Sequence, residues 1–189
     1  MTKEDKFAFR FDCGATWLNL LATKGRTFSA GPVERIATPD RLAEWLELCD
    51  LASARTPDQH DLDLAWQLRE TLRTLALATV DQQPAPASAV AELSTFLAEH
   101  DRPVQLISGH RLRREPPATV TDALARIARQ AADQLTGADR ALLNSCPEHD
   151  CRGVFIDPDG RRRWCPSPAC ASRGRVRAHR ARRSAEEAQ

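Results

Sequence analysis

Cys146-Pro147-Glu148-His149-Asp150-Cys151 and, thirteen residues on, Cys165-Pro166-Ser167-Pro168-Ala169-Cys170 form two close cysteine pairs joined by a short connection. Four thiolates grouped in this way suit a metal ion. Zn2+ accepts tetrahedral sulfur coordination at about 2.3 Å, and each pair on a tight turn supplies two adjacent corners. A closed site of four sulfurs leaves no position for water, so Cys146, Cys151, Cys165 and Cys170 are expected to hold a structural Zn2+ with no catalytic part.

The connection fits a ribbon. Val154-Phe155-Ile156 reads as a strand, Asp157-Pro158-Asp159-Gly160 as a turn with proline at the second position and glycine at the fourth, and Arg161 to Trp164 as the returning strand. Phe155 and Trp164 are expected to pack over the metal turns, leaving the metal to carry most of the folding of so small a unit. Two disulfides, an iron–sulfur cluster, or His149 replacing Cys151 are the alternatives at this point. Cys13 and Cys49 read as ordinary packed cysteines.

Residues 161–183 carry nine arginines and no aspartate or glutamate. Arginine outnumbers lysine 24 to three along the chain, so clustering is the signal and abundance is not. In a helix Arg173, Arg177 and Arg180 share a face, and Gly174 weakens that helix. Together with Arg161, Arg162, Arg163 and Arg175 they suit the phosphate backbone of nucleic acid, by bidentate contacts and counterion release. A solvated basic tail offsetting the charge of a metal–tetrathiolate centre is the bland alternative.

These residues resemble the CGNR zinc fingers, a bacterial family. The resemblance is carried by Cys146, Cys151, Phe155, Asp157, Arg162, Arg163, Trp164, Cys165, Cys170 and Arg173, with Arg175, Arg180 and Arg182 continuing the basic pattern, over about 40 residues. The name-giving tetrapeptide departs, being Cys170-Ala171-Ser172-Arg173, and Ser172 keeps a hydroxyl for a capping role. Upstream, Glu34-Arg35-Ile36-Ala37-Thr38-Pro39-Asp40-Arg41-Leu42-Ala43-Glu44-Trp45-Leu46 and Leu68-Arg69-Glu70 are similar to the ABATE domain that precedes this finger, and Trp17-Leu18-Asn19-Leu20-Leu21-Ala22-Thr23 matches its N-terminal motif loosely. The resemblance implies a stress-linked transcription regulator whose first domain senses a small molecule.

The rest of the chain reads as helices. Thr38-Pro39-Asp40 supplies an N-cap, a first-turn proline and a carboxylate at the positive end of the helix dipole, ahead of a stripe at Leu42, Trp45, Leu46 and Cys49. Thr56-Pro57-Asp58 reads as the same opening for a longer helix on Leu64, Ala65, Leu68, Leu72, Leu75 and Ala76. Pro84 and Pro86 precede a third helix on Val90, Leu93, Phe96 and Leu97, ended between His100 and Pro103. A short ribbon is expected around Val104, Leu106 and Leu112, a fourth helix on Val120, Leu124, Ile127, Ala131 and Leu135, and a helical turn between Thr136 and Asn144. The expected fold class is mainly α: a helical domain with a short β element over 1–138, a zinc ribbon followed by a basic helix over 139–184, and a tail over 185–189.

Composition narrows the function. With 189 residues and 42% hydrophobic residues the chain can bury a core, and wholesale disorder is excluded. Its longest uncharged stretch is eleven residues, 13–23, short of the roughly 20 needed to cross a bilayer. Met1-Thr2-Lys3-Glu4-Asp5-Lys6 leads into no apolar segment, so a cytoplasmic protein is expected. The net charge of +1 divides into −4 over 1–139 and +5 over 140–189. A DNA-binding transcriptional regulator with a small-molecule effector is the leading reading, and symmetric dimerisation through the helical domain would lengthen its DNA contact. The alternative is a protein-interaction or ligand-binding module with the ribbon as a structural cap. No catalytic residues are expected: His60 with Asp61 and Asp63, and His100 with Asp101, lack a nucleophile. Trp17, Asn19, Arg41 and Arg69 are weighed as pocket residues against ordinary packing roles, and the ligand stays unnamed.

Overall fold

The computed structural model describes residues 6–187. Residues 1–5, where the segment read for a leader begins, and residues 188–189, the end of the expected tail, lie outside them. Among the described residues six α-helices and three two-stranded antiparallel ribbons follow one another, so the chain is mainly α.

The first helix, α1 (Thr16–Ala22), went unread in the sequence. Trp17, Leu18, Asn19, Leu20 and Leu21 are all buried, and no side chain caps its N-terminus. A helix buried on nearly every side shows no amphipathic stripe, because it belongs in the centre of a core. It packs against α3 (Gln59–Val80) and α5 (Val120–Thr136), which pack on each other and on α4 (Ala87–His100). Between α1 and α2 (Pro39–Leu48), β1 (Lys24–Gly25) pairs with β2 (Val33–Glu34).

Helix starts follow their caps. Thr38 Oγ1 accepts from Arg41 N at 3.3 Å, with Pro39 in the first turn, as its sequence predicts. The second opening needs a correction: α3 is capped by Asp58, not Thr56. Asp58 Oδ1 accepts from Asp61 N at 3.0 Å and Asp61 Oδ2 from Asp58 N at 2.9 Å, a reciprocal box between side-chain oxygens three residues apart that leaves Pro57 outside. Thr119 and Asp122 close the same kind of box on α5. The expected ribbon is present as β3 (Leu106–Ile107) against β4 (Arg113–Arg114), exposed throughout, and the expected helical turn is a 3-10 turn at Ala138–Leu142.

The C-terminal ribbon is paired differently from its sequence reading. The strand β6 (Val154–Ile156) forms, but its partner is β5 (Leu143–Ser145), before the first cysteine, with Asn144 opposite Phe155. Residues 161–164 are not a strand. Both edges of β6 are already engaged: one by β5, the other where Ile156 N donates to the Cys13 carbonyl at 2.9 Å. The Asp157 carboxylate then takes the Arg162 amide at 2.7 Å and turns the chain away.

Phe155 and Trp164 do not pack together over the metal turns as expected. Phe155 is fully buried in one continuous core with Trp17, Trp45, Leu72 and Leu124, joined by Leu143 and Val154. The ribbon thus borrows its core from the helices. Trp164 lies instead against the last helix, α6 (Pro168–Glu187), where a Cβ on Gly174 would come within 2.5–2.6 Å of three indole atoms. That close approach, and no helix-breaking role, accounts for the glycine. Gly174→Ala is expected to destabilise α6 docking by about 1–3 kcal/mol through overpacking, despite the better helix propensity of alanine. Fluorescence of Trp164 against denaturant checks this, and a gain in stability would contradict the contact.

Candidate metal centre and its basic flank

The four cysteines come from two turns. Cys146 follows β5 directly, its amide donating to the Gly153 carbonyl at 2.9 Å, and Cys151 closes the turn by donating to the Glu148 carbonyl at 2.9 Å. Arg152 follows in the left-handed region at φ 46°. Cys165 comes from the loop after Trp164, and Cys170 from the first turn of α6, its amide on the Ser167 carbonyl at 3.0 Å.

All four sulfurs lie within 4.8 Å of one another, Cys146 and Cys170 buried, Cys151 and Cys165 half-buried. A regular tetrahedron with arms of about 2.3 Å has edges of about 3.8 Å. The Cys151 and Cys165 sulfurs are 3.8 Å apart. The donor set therefore fits one thiophilic ion. An iron–sulfur cluster needs its inorganic core between the sulfurs, and this spacing is too tight for that. No cysteine is in a disulfide, and His149 is exposed and outside the group.

The thiols interact strongly. Hydrogen bonding from Cys151, then from Cys165 and Cys170, holds Cys146 far below the usual thiol range, while its bond to Cys146 pushes Cys165 up. Cys13 and Cys49 are a different chemistry. Burial first, then Asp12 or Asp50, pushes each up to about 12, so both stay thiols.

Two carboxylates that the sequence reading passed over organise the basic flank. Glu148 and Asp150 sit on the first cysteine turn. Arg173 Nη2 reaches Asp150 at 3.1 Å and the Cys170 sulfur at 3.5 Å, its Nε lies 3.7 Å from Glu148, and Arg177 also pairs with Glu148. Arg26 brings β1 to the same turn, 3.6 Å from Asp150. Arg173 and Arg177 thus strap α6 onto the metal turn. The signal for this was present in the acids between Cys146 and Cys151, facing arginines four apart on the helix.

The other predicted arginines stand apart from this strap. Arg161, Arg162 and Arg163 are exposed on the loop, Arg162 reaching the Asp12 carbonyl at 3.5 Å and Arg163 lying 5.1 Å from the centre of the Trp164 ring. Arg175 and Arg180 are exposed on α6, with no ion-pair partner among the described residues. Ala171 and Ser172 lie inside α6, so Ser172 caps nothing: the helix starts at Pro168.

None of the weighed pocket residues lines an open site. Trp17 is core, Asn19 Oδ1 accepts from Cys13 N at 3.1 Å, and Arg69 forms a two-pronged pair with Glu34 at 2.8 and 2.6 Å. Arg41 stacks over Phe9 at 4.0 Å. Asp61 is committed to its capping box, and His100 packs edge-on to Phe96 at 4.9 Å.

A family model for ABATE, described as "Putative stress-induced transcription regulator", matches residues 14–138. The chain belongs to the ABATE family. The model of the CGNR zinc finger matches residues 143–183 and so contains all four clustered cysteines. No curated protein matches the chain. In this ABATE protein the departure from Gly-Asn to Ala171-Ser172 falls in regular helix, where neither a tight turn nor a cap is needed. No helix among the described residues is long and apolar enough to cross a membrane.

Proposed function

We propose that this ABATE-family chain is a zinc-dependent, DNA-binding transcriptional regulator. The four-sulfur cluster at the foot of a 20-residue helix with arginines on its exposed surface is the observation that carries the reading. In it, Cys146, Cys151, Cys165 and Cys170 bind Zn2+. The ion supplies a rigid, coordinatively closed crosslink between the first cysteine turn and α6, and no Lewis-acid site. Arg161, Arg162, Arg163, Arg175 and Arg180 contact phosphates, while Arg173 and Arg177 hold the helix in place and add positive field. Residues 1–138 act as the sensor, residues 139–184 as the DNA-binding unit.

Phosphate contacts predict a salt slope. For zinc-loaded protein on mixed DNA fragments, the Arg175→Ala/Arg180→Ala double variant is expected to bind more weakly and to flatten the plot of log affinity against log salt by about 0.9 per lost contact. Zinc content and helicity should not change. Wild-type protein that shows no affinity even at low salt would refute the reading. The exposed Leu106, Ile107 and Leu112 of the β3–β4 ribbon favour a second reading, contact with another protein or a second copy of the chain. A protein partner recovered after nuclease treatment, or a dimer by light scattering, supports it.

A further inference from the structure

A cavity of about 310 Å3 opens between the N-terminal stretch with α1 and the β1–β2 ribbon on one side and, far along the chain, the cysteine turns on the other. This is the low end of small-molecule sites, roughly 300–1,000 Å3. Leu21, Ala22, Val33, Val154 and Pro166 supply apolar walls. Seven cations line it against a single carboxylate, Asp12, and Cys151, Cys165 and Cys170 of the metal cluster add negative charge along one side.

Most of these cations are already partnered. Lys24 and Arg73 share Glu70, at 3.3 and 3.1 Å, and Arg26 and Arg173 share Asp150. Lys6, Arg10 and Arg35 are not so paired, and of these three Arg35 is the buried one. It is 9% exposed, and it has no ion-pair partner among the described residues. Its Nε and Nη1 donate to the neutral carbonyls of Ala8 and Ala22 at 2.8 and 3.0 Å. Gly25 gives it room, since a Cβ there would stand 2.6 Å from Nη1. Glu34 and the Cys151 sulfur act on Arg35 through space and not by contact: Glu34 is bonded to Arg69, and the guanidinium that touches a metal sulfur is that of Arg173. Arg10, half-buried on the same lining, adds a second cation without an ion-pair partner among the described residues. A buried charge with no counter-ion in contact is costly, and an apolar cavity with such a charge in its wall suits a ligand that brings one.

We propose that this cavity binds a small organic oxyanion, a carboxylate or phosphate on a compact apolar body, with Arg35 and Arg10 receiving the anionic head. Such a ligand touches the ABATE segment and the finger at once, through Val33 on one side and Val154 and Pro166 on the other. Its occupancy therefore stiffens the joint that presents α6. This deepens the sensor role proposed above and rests on that reading only for its consequence at DNA.

The test uses the full zinc-loaded chain without DNA. Benzoate and phenyl phosphate, at millimolar concentration, are compared with benzamide, the neutral counterpart of benzoate, and with chloride, by calorimetric titration and thermal unfolding. At least one of the two anions should bind and raise the unfolding midpoint, benzamide should not, and Arg10→Ala and Arg35→Lys should each weaken that binding by about tenfold or more, the loss of a charge-assisted bond. Zinc content should stay constant in both variants. Equal effects of benzoate and benzamide, no binding of either anion beyond chloride, or unchanged binding in Arg10→Ala would overturn the site. Loss of zinc from Arg35→Lys with no anion binding by the wild type would make Arg35 a counter-ion of the metal centre instead. None of these outcomes alters the DNA measurement, and a chain that binds benzoate but no DNA would fail the regulator reading alone.

Discussion

Removing the metal with a chelator, or replacing Cys165 by serine, is expected to release α6 while leaving the helical core folded. Cys165 and Cys170 bring α6 to the first cysteine turn, and the remaining ties are the Arg173 and Arg177 ion pairs and the Trp164 contact with Gly174. Partly exposed ion pairs are worth at most about 1 kcal/mol each, whereas structural zinc contributes about 10–16 kcal/mol in finger peptides. The ion pairs and one ring contact cannot replace it. Hydrogen exchange should show amides of residues 168–184 losing nearly all protection, with those of α3 and α5 unchanged. Far-UV dichroism should fall by the contribution of the 20-residue helix. Full protection of α6 in metal-free protein would mean that the cysteine cluster is ordinary packing and that no ion holds it.

Phe155→Ala makes the complementary demand. Phe155 is fully buried among residues of α1, α3 and the strands, not within a finger core of its own. Truncating such a ring costs about 3–5 kcal/mol, from lost transfer energy and the cavity left behind. Because the cluster is continuous, the loss should lower the stability of the helical core as well as that of the ribbon. Denaturant unfolding followed at Trp17 and Trp45 should shift its midpoint to lower denaturant with an unchanged slope. A variant whose core midpoint stays put would show that β5 and β6 form an independent unit and that the shared core is incidental.

These two experiments separate what the metal holds from what hydrophobic burial holds. Metal removal acts on residues after β6; ring truncation acts on the joint between finger and helices. The proposed anion site lies on that same joint, whose other ties are the Ile156 amide on the Cys13 carbonyl and the Phe28 amide on the Asp150 carbonyl at 3.2 Å. A ligand there would act on the presentation of α6 without touching DNA.

Local signals survived into the structure where local chemistry suffices. Thr38 and Thr119 cap their helices because the acceptor, the free amide and the following stripe all lie within a few residues. Cysteine spacing likewise carries its own meaning, since a tetrahedral ion needs two tight turns and little else. Asp58 displaced Thr56 as a cap because both residues offer an oxygen, and only Asp58 has Asp61 to return the bond.

What the sequence by itself determined, then, is the mainly α class, the capped helices, the metal-ready cysteines and the clustered positive charge: each depends on residues close in the chain. The tertiary structure alone decided the rest. It placed α1 at the centre, where a short helix buried on nearly every side leaves no period to read, and it paired β6 with β5, because the Cys13 carbonyl occupied the other edge. It divided the arginines into a strap on Glu148 and Asp150 and an exposed set, and it assembled the Arg35 cavity from the N-terminal segments and the distant cysteine turns. Pairing, burial and counter-charge are properties of neighbours in space, and no spacing along the chain encodes which neighbour arrives.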